Sequence, residues 1–253
     1  MLLNHKIIGD GKPLVILHGL FGSLDNWLAH AKKLSEYYQV ILVDQRNHGH
    51  SDWSDKFNYN ILAQDLKELL DHLQLKKVLL LGHSMGGKTV IEFTQNHPEY
   101  IEKLIVVDIG VKQYPMHHQE ILAGLNAIDL SLVHTRGEAE KIMKLHIDSI
   151  GVRQFLLKNL YWKDKGQLAW RMNIPVLEKQ MINILAKLSD TPVFVPTLFI
   201  RGSLSNYILI EDFEDLEDIF NDIRIETIEN AGHWVHAEAP EKFIETVLEF
   251  CLR

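Results

Sequence analysis

Apolar runs at 14–17 (LVIL), 40–43 (VILV), 78–81 (VLLL), 104–107 (LIVV) and 197–200 (TLFI) punctuate the chain, and amphipathic stretches separate the first four. An unbroken apolar run of this length lacks the alternation of a strand with one wet face, so each reads as a strand buried on both faces. The stretches between them carry helical periodicity at 26–36, 60–73 and 85–96, the last stopped by Pro98. Strand and helix in alternation make a mostly parallel sheet covered by helices on both faces, an α/β fold.

From 111 to 190 the pattern changes. Helical periodicity continues at 117–127, 136–149, 151–159 and 174–187, with no convincing strand and with Trp162, Trp170 and Met172 in or between these stretches. Strand–helix order resumes at 194 and closes with a helix at 240–251 behind Pro240. Helices inserted between two strands of one sheet have to sit at its edge or over its top. The expectation is an α/β core, 1–110 and 190–253, carrying a helical cap at 111–189.

Composition narrows the setting. The chain has 253 residues, 46% hydrophobic and 24% charged, enough to bury a sizeable core without disulfide staples. Its single cysteine, Cys251, cannot form an intrachain bridge. The net charge of −8 speaks against nucleic acid as a partner. No apolar stretch approaches the roughly 20 residues that span a bilayer, and the first residues (MLLNHK) lack the basic and apolar regions of a secretion signal. A cytoplasmic monomer or small homo-oligomer with a small-molecule partner is expected.

The chemistry starts at Gly82-His83-Ser84-Met85-Gly86-Gly87. This is G-x-S-x-G after a strand and before a helix, the context in which the motif presents a serine on a sharp turn. Gly82 and Gly86 let strand and helix approach, and the helix N-terminus favours negative charge beside Ser84. A serine needs a base at neutral pH. Of fourteen histidines, His233 stands out: Asn230-Ala231-Gly232-His233-Trp234 follows the last strand, 224–228, and precedes the last helix, on the same sheet edge as the serine turn. His236 makes an H-x-x-H pair with it but lacks a third ligand. His18, His48 and His50 read as members of glycine-rich turns, His117 and His118 as solvated cap residues. An oxyanion calls for two backbone N–H donors: Met85, after the nucleophile, and Leu20, in the loop after the first buried strand.

These segments together, HGLFGS at 18–23, DQRNHGHS at 44–51, GHSMGG at 82–87 and AGHWVHAEAP at 231–240, resemble the α/β-hydrolase superfamily, and especially the small bacterial YbfF-type esterases. The resemblance spans nearly the whole chain, with the cap least informative. It implies the chain order serine, acid, histidine, with the acid in the loop after the strand at 197–201. That loop, Arg201-Gly202-Ser203-Leu204-Ser205-Asn206-Tyr207, holds no carboxylate before Glu211. Asp108, at the end of the strand beside the nucleophile strand, is then the expected acid. The YbfF-type pattern implies that Ser205 stands in the usual acid position as a helper to Asp108 or His233. Glu211 is the alternative acid. Asp44 is expected to fix its own loop, while Arg46 either reaches the pocket or pairs structurally.

The reaction implied is acyl transfer to water through Ser84, with no metal or organic cofactor. Leu20, Phe21, Trp234 and apolar residues of 117–127 and 151–177 are expected to hold a short- to medium-chain acyl group, and Arg46, Lys88, Arg171 and Arg201 are candidates for a basic rim that would suit an acyl-CoA thioester. A C–C bond hydrolase, a lactonase, or a non-catalytic sensor of a small apolar ligand remain open on the same residues.

Overall fold

The computed structural model describes residues 1–252. Its strands are β1 (His5–Ile8), β2 (Pro13–Leu17), β3 (Gln39–Val43), β4 (Val78–His83), β5 (Ile101–Val107), β6 (Leu160–Asp164), β7 (Gln167–Trp170), β8 (Thr197–Gly202) and β9 (Ile223–Ile228). Seven of them form one sheet in the order β1-β3-β2-β4-β5-β8-β9. β1 runs antiparallel to β3, and every other neighbouring pair is parallel.

The helices are α1 (Leu28–Leu34), α2 (Tyr59–His72), α3 (Met85–Asn96), α4 (Gln119–Asn126), α5 (Arg136–Met143), α6 (Ile150–Leu157), α7 (Ile174–Lys179), α8 (Met181–Ile184), α9 (Phe213–Ile219), α10 (Val235–Glu238) and α11 (Pro240–Leu252). Because strand side chains alternate between faces, each central strand feeds two cores. Leu14, Ile16, Leu81, Ile105 and Ile200 pack with Trp27, Leu34, Phe243 and Val247 of the α1 and α11 layer. Val15, Leu17, Leu80 and Val106 pack with Leu66, Leu69, Val90 and Phe93 of the α2 and α3 layer. At roughly 1.5–3 kcal/mol for each fully buried aliphatic side chain, this two-sided burial is the main force holding the sheet between its helices.

The segment between β5 and β8 extends the second core, since Leu125, Met143, Leu156 and Leu177 belong to the same continuous cluster. It is not all helix, as the periodicity suggested. β6 and β7 form an antiparallel hairpin, Leu160 facing Trp170, around Gly166 at φ +83°. The helix expected at 136–149 stops at Met143, and the one expected at 174–187 is split into α7 and α8. Aromatic residues at 161, 162 and 170 favour the pleated conformation, and the left-handed turn at Gly166 closes it. Among the described residues, no helix is long and apolar enough to cross a membrane.

Candidate active site

Ser84 sits between β4 and α3 at φ 53°, ψ −120°, a region costing about 1–3 kcal/mol for a residue with a side chain. Its amide is held by the Val107 carbonyl at 3.0 Å. Glycine is required on both sides. A Cβ at Gly82 would lie 2.2 Å from the Gly86 carbonyl oxygen, and one at Gly86 would lie 2.5 Å from that of His18.

His233 arrives on the loop between β9 and α10, and its Nε2 lies 3.0 Å from Ser84 Oγ. Its Nδ1 is 2.8 Å from Asp108 Oδ2. A carboxylate only accepts, so Nδ1 carries the proton and Nε2 faces the serine hydroxyl as an acceptor. Asp108 ends β5 fully buried and at φ 50°. It also accepts the Gly202 N–H at 3.1 Å and the Ser205 hydroxyl. Ser205 thus touches the carboxylate and not the imidazole. Glu211 is exposed, in a short turn at the start of α9, while the position it was to fill is taken by Asp108.

The 18–22 loop is fixed by two buried histidines. His48 Nδ1 donates to the Arg46 carbonyl, leaving Nε2 to accept the Phe21 N–H at 3.2 Å, with Phe21 at φ 59°. His18 Nδ1 donates to the Gly19 carbonyl, leaving Nε2 to accept the Gln45 N–H. Burial pushes the pKa of His18 down to about 4 and that of His48 to about 3, so both rings stay neutral and keep their accepting nitrogens. Leu20 of this loop, Met85 and Ser84 line one small cavity of about 20 Å³. As the first residue of α3, Met85 has an N–H with no acceptor inside its own helix.

A protein family described as the alpha/beta hydrolase fold matches residues 12–138. Esterase YbfF of Escherichia coli K12 is 40% identical over 242 residues, covering 95% of this chain and 93% of that protein. The sn-1-specific diacylglycerol lipase ABHD11 of Danio rerio is 36% identical over 252 residues, covering 96% of this chain and 79% of the lipase. A solved structure, a marine microorganism esterase, superposes with a TM-score of 0.96 at 44% identity, over 98% of this chain and 99% of the other. The chain belongs to the α/β-hydrolase family.

In this α/β-hydrolase, Ser84 and His233 open into a cleft of about 260 Å³ whose walls include Phe21, Ile121, Val152, Phe155 and Trp234. Phe21 and Trp234 therefore stand where the sequence put them. Arg46 does not. It is buried, with Nε and Nη2 bonded to the two Asp65 oxygens at 2.5 and 2.7 Å and Nη1 to the Lys56 carbonyl, a paired guanidinium turned away from the cleft. Nor do the other rim candidates line the cleft: Arg201 bonds the Ile208 carbonyl, Arg171 bonds His50, and Lys88 is buried behind it. Asp44 fixes its loop as expected, accepting from Leu24 N, Asn4 Nδ2 and His50 N.

Several cleft residues escaped sequence reasoning. Tyr207 stacks on the His233 ring, centroids 3.7 Å apart and planes 15° from parallel. His83, inside the serine motif itself, donates from Nε2 to the His233 carbonyl at 2.9 Å; burial pushes its pKa down to about 3. His117 and His118 do not simply face solvent: both line the cleft, His117 bonds the Tyr207 hydroxyl at 2.6 Å, and burial pushes the His118 pKa to about 3. His236 is buried and stacked on Trp27, and among the described residues no group of three His, Cys, Asp or Glu could hold a metal. No periodicity or motif marks Tyr207, His117 or His118 as cleft residues, whereas His83 had a signal in its place beside the nucleophile, and the H-x-x-H spacing of His236 pointed to a metal rather than to packing.

Proposed function

We propose that this hydrolase is a serine esterase that cleaves small-molecule carboxylic esters of short acyl length. The observation that carries the reading is the unbroken chain Ser84 Oγ–His233–Asp108, at 3.0 and 2.8 Å, opening into an apolar cleft.

The arrangement supports a definite sequence of steps. His233 Nε2 takes the Ser84 proton as Oγ attacks the ester carbonyl, and Asp108 stabilises the imidazolium so formed. The N–H groups of Leu20 and Met85 receive the oxyanion, a contribution of about 10²–10³ in rate for each donor in comparable sites. The imidazolium then gives its proton to the departing alcohol, and water, activated by the same ring, releases the acid and restores Ser84. The alcohol has to reach His233, so it belongs in the larger cleft beside Trp234 and Phe155. The acyl group turns the other way, its first carbons in the small cavity of about 20 Å³ against Leu20, Met85 and Tyr207. Short acyl groups are therefore favoured, and Trp234, expected to hold the acyl chain, faces the alcohol instead. A neutral ester fits better than an acyl-CoA thioester, because the four basic residues considered for an anionic carrier have partners elsewhere. The esterase and lipase names of the relatives agree with ester substrates.

Hydrolysis of p-nitrophenyl butyrate tests the reading. Wild type should turn it over, Ser84→Ala should lose of the order of 10⁴-fold or more in kcat, and a fluorophosphonate should label Ser84 alone. Binding of an apolar ligand without turnover of any ester would instead favour a sensor, and turnover confined to diketones or lactones would favour those hydrolase classes.

A further inference from the structure

One buried cation outside the reacting groups bears on the shape of the acyl cavity, and the inference rests on the esterase reading above. Lys88 lies one turn into α3, its N–H bonded to the Ser84 carbonyl at 3.1 Å. The residue is 1% exposed, and no carboxylate among the described residues pairs with it. Its ammonium donates to the Lys112 carbonyl at 2.7 Å and to the Ala186 carbonyl, and lies over the rings of Tyr114 and Tyr59, 5.0 and 5.8 Å from their centroids. Burial pushes its pKa down to about 7.

These partners have a common location. Lys112 and Ala186 stand where the chain leaves β5 for the inserted segment and where it comes back. The two ends are stitched together by Tyr114 N–H to the Leu185 carbonyl and Leu188 N–H to the Val111 carbonyl, both at 2.9 Å. Tyr59 and Tyr114 in turn wall the small cavity beside Ser84. Tyr59 bonds the Ile184 carbonyl at 2.6 Å, while Tyr114 accepts the Gly110 N–H and donates to the Tyr207 carbonyl, both at 2.8 Å. Tyr207 lies on the His233 ring.

We propose that Lys88 is a positioning residue that clamps the neck of the inserted segment onto the nucleophile helix and so fixes the tyrosine wall that limits acyl length. An apolar side chain of similar volume would avoid the desolvation of a charge. It could not hold two carbonyls from separate stretches of chain at one point, which an amino group with two or three N–H donors does in either protonation state. Anchoring the neck to the helix that carries Ser84 keeps the wall at a constant distance from the attacking oxygen.

The test is Lys88→Met, read in two ways. Hydrogen exchange at the Tyr114 and Leu188 amides should speed up by about tenfold or more, since either of the two lost hydrogen bonds alone implies about that ratio. The ratio of kcat/KM on p-nitrophenyl acetate to that on p-nitrophenyl hexanoate should fall by about tenfold as the wall relaxes, through KM for the hexanoate more than through kcat. A residue that merely supports the fold would reduce the active fraction equally for both esters and leave their ratio alone. Unchanged exchange at the two amides, or an unchanged ester ratio, overturns the clamp. If Lys88→Met does not fold, Tyr114→Phe decides: it breaks the link to Tyr207 and should shift the same ratio, and no shift refutes the proposal. Should wild type hydrolyse neither ester, the esterase reading fails while amide exchange still judges the clamp.

Discussion

Asp108 concentrates more of the site's physics than any other single side chain. It occupies a left-handed backbone position that aspartate tolerates better than most residues, and it is fully buried with three donors arranged around its carboxylate. One of them is the His233 Nδ1–H, so the charge of Asp108 sets which ring nitrogen is left to face the Ser84 hydroxyl as an acceptor. Asp108→Asn keeps the size but offers an amide that can donate, which favours the wrong tautomer; kcat should fall by about 10⁴-fold at neutral pH with the fold intact. Glu211→Gln should stay close to wild type in the same assay, and the opposite ranking would move the acid to Glu211. Arg46 shows the limit of reading one residue at a time. Its charge was visible in the sequence, but its partner Asp65 lies on α2, 19 positions on.

The decisive element is the β4–α3 turn together with the loop it touches. Gly86 abuts the Leu17 and His18 carbonyls at the end of β2, which is where the 18–22 loop starts. Gly86→Ala would force α3 and that loop apart. Loss of several kcal/mol of stability is expected, at the high end for a single substitution, read as a fall in Tm accompanied by a loss of kcat. An unchanged Tm would mean that the turn has slack the geometry does not suggest. The main helices of the core were legible because their apolar stripes recur every three to four residues. In the inserted segment the β6–β7 hairpin fell in the gap between the helices read at 151–159 and 174–187, where two short strands with aromatic residues gave no clear alternation. The edge strand β1 also went unseen, being half exposed and carrying a charged residue.

Over the whole molecule, the most consequential property is a set of histidines buried as neutral rings. His18, His48, His83 and His118 have pKa values pushed from the ordinary 6.5 to about 4, 3, 3 and 3, in each case chiefly by burial. Below pH 6.5 the unfolded chain binds protons that these folded sites refuse, so their contribution is whole above that pH and is lost as the pH falls toward the folded values. Each adds a slope of at most about 1.4 kcal/mol per pH unit. The histidine contribution should therefore be flat above neutrality, and Tm should drop by the order of 10 °C per pH unit below 6.5. A Tm constant down to pH 5 would contradict the neutral rings, of which His18 and His48 accept backbone N–H groups around the 18–22 loop and His83 donates to the His233 carbonyl.

Sequence alone determined the six parallel strands of the sheet, the position of the serine turn and the loop that delivers His233. Those features are written in contiguous residues: an apolar run, a glycine-bracketed serine, a histidine between a strand and a helix. The tertiary structure decided the rest. It brought Asp108 to His233 across 125 positions and Lys88 to Ala186 across 98, laid Tyr207 on the imidazole, and turned Arg46 inward. Such pairings depend on which elements become neighbours and at what distance, and no local pattern of side chains records that.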